Sequence, residues 1–380
     1  MKNHLLLLPL VCLWLLACSS GQKQLAELAM EKVPLSYAEG FSVFKGKDFW
    51  VLEVNRAFAG QEQAYRYLIW EEGAVPSAIE GFDAVLSLPV SQVVLTSTTH
   101  VPHLEYLRAL DKFAGFPGLD HISSVEARKL IRQGKVRELG SGAGLNVEQA
   151  IDLEPDWLMV STLGQDLQYL DLLKKAGVPA FLNGEYLEQH PLGRAEWLKF
   201  TGLLLGKWEE SLQAFEKIEE AYLSASLLAE NLEVSKPSVM SGVMYKDVWY
   251  VPGSESWAAK LFQAAGADYV FEDQEGAGSV PLSYEFVLDR AKEVEFWIGV
   301  ADFASLEQLA KADPRYAHFR AFKEAKVFTY TLKKGETGGV EYFELGYLRP
   351  DLILQDLIKI LHPEALPTYE TYFYQKLHEK

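Results

Sequence analysis

The apolar positions fall into short runs near the N-terminal end and into longer strand and helix units beyond it. Phe41-Ser42-Val43-Phe44, Phe49 to Val54 and Tyr65 to Trp70 are broken by Gly46 and Gly60, a pattern that predicts a small β-meander within residues 34–89. From Val90 the pattern changes. Val93-Val94-Leu95 reads as a buried strand, and a helix is expected from about Pro102 to Leu110, with the proline in its first turn.

One unit then occurs twice. A helix over Asn146 to Leu153 stops at Glu154-Pro155-Asp156 and leads into the strand Trp157-Leu158-Met159-Val160. The second copy runs from Ser283 through Ala291 to Phe296-Trp297-Ile298-Gly299-Val300, with Glu148 and Glu285 at matching helix positions. Each copy follows an earlier strand (Val93 to Leu95; Ser238 to Met244) and precedes a helix and strand (Leu170 to Leu182; Phe319 to Tyr330). Duplication on this scale predicts an α/β protein of two Rossmann-like lobes with mainly parallel sheets, over residues 90–192 and 235–380.

Between the lobes, residues 193–234 carry apolar side chains at 197, 200, 204, 208, 212, 215, 218 and 222, the repeat of one helical face. A bridging helix from Gly193 to Ala229 would extend about 50 Å. Gly202 and Gly206 either bend this helix or split it, the alternative being two ordinary packing helices.

The beginning of the chain changes the picture. Lys2, the apolar residues to Leu16 and Ala17 form a run too short for a bilayer, which reads as an export signal over residues 1–17. Leu15-Leu16-Ala17-Cys18 before Ser19-Ser20-Gly21 is similar to a bacterial lipobox, so Cys18 is the expected lipidation site and residues 18–33 a tether. The two cysteines, Cys12 and Cys18, leave no intramolecular disulfide after cleavage.

With 49% apolar and 23% charged residues, the 380-residue chain is neither disordered nor a polytopic membrane protein. Its formal charge of −17 repels nucleic acid.

Four stretches carry a family resemblance, in order: Leu145-Asn146-Val147-Glu148 to Asp156, Pro191-Leu192-Gly193-Arg194-Ala195-Glu196-Trp197, Trp249 to Trp257, and Gly338-Gly339-Val340-Glu341-Tyr342-Phe343-Glu344 before Arg349 to Leu357. After a lipobox, they resemble the helix-bridged, class III periplasmic binding proteins of ABC importers for iron-siderophore complexes, haem and cobalamin, from about Val90 to Leu366.

The resemblance implies an exported, lipid-anchored monomer in the periplasm or cell envelope. It would carry a ferric siderophore, cobalamin or haem to the permease's membrane subunits, with no catalytic residue and no resident cofactor or metal. Ligand contacts are expected in loops at strand C-termini, where His100, Tyr186, Arg194, Tyr245, Trp249, Trp257 and Tyr342 stand. Glu148 and Glu285 are the expected permease-docking residues. A helical strut also leads us to expect little lobe closure.

Other signals are weaker. His100, His103 and Glu105 form a possible metal set, for which a capping or cleft-lining role is the alternative. Gly140 to Gly144 lacks a dinucleotide fingerprint, and Gly202 to Lys207 the spacing of a phosphate loop. No Gly-x-Ser-x-Gly elbow, His-Glu-x-x-His motif or available Cys nucleophile supports an enzyme. A surface haem receptor and an exported hydrolase are the rival readings.

Overall fold

The computed structural model describes residues 29–71, 80–140, 144–164 and 167–379. The expected signal and Cys18 lie outside them. The meander is present as β1 (Glu31–Val33), β2 (Phe41–Lys45), β3 (Phe49–Val54) and β4 (Tyr65–Trp70), paired antiparallel in sequence order. A fifth strand, β5 (Ala84–Ser87), joins β4 in parallel and makes the sheet mixed.

In the N-terminal lobe, β6 (Val93–Leu95), β7 (Phe113–Phe116), β8 (Arg137–Glu138), β9 (Trp157–Val160) and β10 (Ala180–Leu182) form an all-parallel sheet in the order β10-β9-β6-β7-β8. Its helices include α1 (Val101–Tyr106), α2 (Val125–Arg132), α3 (Val147–Asp152) and α4 (Gln168–Lys175). β6 and β9 are wholly buried, as expected for apolar runs covered on both faces.

The bridge is shorter than one continuous helix. Residues 193–234 form α5 (Pro191–Leu204) and α6 (Trp208–Glu230), separated at Gly206, whose φ of +68° ends the first helix. α6 turns back along α5. His190 lies by Tyr222, the Lys199 ammonium lies over the Phe215 ring, and a Cβ on Gly202 would stand 2.4 Å from the Ser211 Cβ. The close approach explains Gly202, which permits helix contact and does not mark the break. All of α5 is buried. Only the 23-residue α6 leads between the lobes.

The C-terminal lobe holds β11 (Ser238–Met240), β12 (Val243–Tyr245), β13 (Val248–Pro252), α7 (Trp257–Ala264), β14 (Asp268–Tyr269), β15 (Ser279–Ser283) and α8 (Tyr284–Ala291). It continues through β16 (Phe296–Val300), α9 (Leu306–Ala312), α10 (Arg320–Lys323), β17 (Val327–Thr329), α11 (Glu341–Leu345), α12 (Pro350–Leu361) and β18 (Gln375–Lys376). Its main sheet, β14-β11-β16-β17-β18, is parallel except for β18. The strand expected from Ser238 to Met244 is interrupted. Gly242, at φ +86°, diverts β12 into an antiparallel sheet with β13 and β15. The duplicated unit recurs as α3 with β9 and as α8 with β16. A continuous apolar core runs through both lobes and their helical connection.

The N-terminal sheet is welded to α5 through carboxylates. Glu196 accepts backbone N–H groups from Ser36, Tyr37 and Ala38 at 2.9, 2.7 and 2.7 Å, and Glu188 accepts from Gly40 at 2.8 Å and from the Trp197 indole at 3.0 Å. Lys199 completes the weld as a buried ion pair with Glu196 at 2.6 Å.

Candidate functional site

Two N-lobe strand ends build the site. β6 runs into a short turn capped by Ser97 and delivers His100, and α1 then delivers His103. β10 runs into Asn183-Gly184-Glu185, where the Asn183 side chain accepts the Glu185 N–H at 2.9 Å. A Cβ on Gly184 would stand 1.9 Å from the Arg56 carbonyl oxygen, so glycine is what lets this turn press against the N-terminal sheet. The two histidines are 0% exposed and Glu185 is 3% exposed.

His103 Nδ1 lies 2.8 Å from the Thr201 hydroxyl of α5, leaving Nε2 toward Glu185. His100 Nε2 and His103 Nε2 stand 3.6 and 3.8 Å from the two Glu185 oxygens, beyond hydrogen-bond length. Burial pushes His103 down to about 3 and holds His100 well below the ordinary imidazole range, with His103 adding to the effect. Burial raises Glu185 to about 7, although Thr99 and Arg194 oppose that rise. The cluster therefore contains neutral imidazoles and a carboxyl that titrates near neutrality.

Arg194 forms the roof on this side. Its Nε and Nη2 donate to the Glu188 and Tyr186 carbonyls at 3.0 and 2.9 Å, while its guanidinium lies 4.2 and 4.9 Å from the Tyr347 and Trp257 ring centres. Those rings belong to the opposite lobe. Tyr342 stacks on Tyr330 at 5.0 Å and meets Trp257 edge-on at 6.0 Å.

The expected ligand residues His100, Arg194, Trp257 and Tyr342 thus converge between the lobes, and three others do not join them. Trp249 is fully buried in the C-lobe core, donating to the Ser241 carbonyl and packing on Trp297, Tyr316 and Phe319. This corrects its expected ligand role, because alternation in β13 turns Trp249 inward. The same alternation leaves Tyr250 exposed. Tyr245 is 62% exposed beside Lys246, away from the buried cluster. Tyr186 gives its carbonyl to Arg194 and its hydroxyl to the Thr162 carbonyl at 3.1 Å, which makes it a support for the site.

Glu185, His103 and Tyr347 were absent from the expected ligand set. Glu185 stands next to Tyr186 in the loop after β10, and that place at a strand's C-terminal end was the available signal. Glu105 instead turns to the Ser124 hydroxyl, so the carboxylate nearest the histidines comes from another element.

Among the described residues, His103 Nε2, Glu185 Oε2 and Trp257 Nε1 are buried without a hydrogen-bond partner, and the buried His100 ring makes no hydrogen bond of good geometry, Asn183 being the polar side chain beside it. Such groups cost about 1–3 kcal/mol each when left unpaired, and their concentration between the lobes gives the site its chemical character. No group of three or more His, Cys, Asp or Glu among the described residues is arranged to hold a metal ion. The donors suit the polar edge of a larger ligand. Cavities of about 600 and 630 Å³ lie elsewhere, beside β5 and α4 and behind α6, and neither includes the cluster.

Glu148 and Glu285 are both exposed and occupy the same place, the second residue after a capping side chain, Asn146 or Ser283. No described helix is long and apolar enough to cross a membrane.

A family model described as periplasmic binding protein matches residues 93–333. An uncharacterized lipoprotein of Methanocaldococcus jannaschii is 30% identical over 302 residues, covering 77% of this chain and 70% of that protein. The periplasmic haem-binding protein HutB of Vibrio cholerae superposes with a TM-score of 0.55 at 14% identity, covering 70% of this chain and 98% of that one. CeuE of Helicobacter pylori in complex with Ni-His gives 0.55 at 18% identity, covering 75% and 87%.

Proposed function

The chain belongs to the periplasmic binding protein family, solute-binding components of ABC transporters and not enzymes, and from that premise we propose that it carries a metal chelate in the interlobe cluster. The carrying observation is the set of buried polar atoms without a well-formed hydrogen bond on His100, His103, Glu185 and Trp257. A chelate with donors and acceptors around its edge satisfies them, while Trp257, Tyr342 and Tyr347 offer ring surface to a flat or aromatic body. The haem and nickel–histidine named for two structural neighbours belong to the same broad chemical class.

Ferric siderophores, cobalamin and haem are the ligands to test. Titration of each into purified protein, followed by absorption and thermal shift, should give saturable one-to-one binding with one class, and Glu185→Gln should weaken it. Absence of binding by all three would overturn the chelate assignment. An exported protein anchored through lipid on Cys18 accords with the lipoprotein description of the archaeal relative. Glu148 and Glu285, one on each lobe, provide paired acidic contacts for basic residues of a permease.

A further inference from the structure

We propose that Glu344 is a positioning residue that holds the two lobes shut over the buried cluster, and that its contact with the opposite lobe breaks when solute enters or leaves. Residues 330–349 leave the C-lobe sheet after β17 and reach across to the N-lobe. At the centre of this arm, the Glu344 carboxylate accepts the Ser123 and Ser124 backbone N–H groups at 2.6 and 2.8 Å. It is 2% exposed. Ser124 also caps α2 by accepting the Ala127 N–H at 3.0 Å, so the captured segment is held in place from its own side.

Around this contact the backbones nearly touch. A Cβ on Gly335 would stand 2.6 Å from the Ser123 Cα, and one on Gly339 would stand 2.6 Å from the His121 carbonyl oxygen. Glu336 pairs with Arg128 and Arg132 at 2.9 and 2.6 Å, and Arg349 donates to the Tyr106 hydroxyl at 2.6 Å. The Glu336 and Arg132 side chains are 46% and 51% exposed, where water and salt weaken an ion pair. Glu344 is the most deeply buried of these carboxylate contacts, and losing it leaves the buried Ser123 N–H and the half-buried Ser124 N–H without their acceptor.

The same arm carries Tyr342 against Trp257 and places α11 over the segment containing His100. Ligand access and the Glu344 contact are therefore alternatives, and the opening this requires runs against the small closure that a helical strut led us to expect. The functional consequence rests on the cluster being the solute site. The closure itself does not require an identified ligand to be tested.

Reaction of His100 and His103 with diethyl pyrocarbonate near pH 7.5, read by peptide mass spectrometry, reports opening. Exposed His378 serves as an internal reference. Glu344→Ala should accelerate modification of both buried histidines on the order of tenfold and enlarge the radius of gyration in solution scattering. Glu344→Gln keeps one acceptor and should give a smaller acceleration. If Glu344→Ala does not fold, the folded Gln variant decides the matter. Buried-histidine reactivity unchanged from wild type in the folded variant tested overturns the latch. Faster modification without chelate binding by any of the three ligand classes would retain the latch and overturn only the ligand assignment.

Discussion

The Thr201 hydroxyl lies 2.8 Å from His103 Nδ1, linking buried α5 to the ring whose other nitrogen faces Glu185. Thr201→Val should leave Nδ1 without this partner, cost about 1 kcal/mol of stability and weaken chelate binding by releasing the ring orientation. Chemical denaturation and ligand titration check the two effects separately. Unchanged affinity would remove Thr201 from the support of the site.

Glu185 makes a directional pH prediction. Its carboxyl is raised to about 7 by burial, so its stabilising contribution is complete below the ordinary carboxylate range and is lost as pH rises through about 7. His100 and His103 have the opposite pH trend because their neutral forms are favoured, while Arg194 lies close enough to lower Glu185. Comparing wild type with Glu185→Gln isolates the carboxyl from this background. Between pH 5 and 8, wild type should lose stability relative to the variant. A constant difference in Tm across that range would contradict the assignment.

The weld predicts a larger loss. Glu196→Ala strands three backbone donors from Ser36 to Ala38 and leaves Lys199 without its carboxylate, an expected cost of about 3–5 kcal/mol. Urea unfolding measures it. A change below about 1 kcal/mol would mean that the N-terminal sheet is held chiefly by apolar packing, including Phe41 on Trp197 and Tyr67 on Phe181.

For permease docking, the double substitution Glu148→Ala and Glu285→Ala should preserve chelate affinity and reduce uptake by cells. Both side chains are exposed and lie outside the buried cluster. Normal uptake with both changes would remove them from the docking surface, whereas loss of ligand binding would point to disruption of the fold.

Much of the lobe architecture was legible because local patterns carry it. The apolar run Trp157–Val160 is a buried strand, and Phe296–Val300 occupies the corresponding place in the other lobe. The fold-back of α6 was less visible, since a helical face repeats in the same way whether two segments run in line or side by side. Trp249 was misplaced because adjacent residues of a strand face opposite sides, and only pairing with β15 fixes which side is the core. Glu185 became conspicuous only when the fold placed it against two histidines more than eighty residues earlier in sequence.

The fold-back also limits how the halves can move. Because α5 doubles back with α6, α6 carries the polypeptide from the first lobe into the second, and the later arm over residues 330–349 meets the N-lobe only through noncovalent contacts. Two parallel tethers would define a door-like axis; one permits a swivel, and the choice of direction then falls to noncovalent surfaces. Any rotation of the halves is consequently guided less by the backbone joining them than by the face that each turns toward the other.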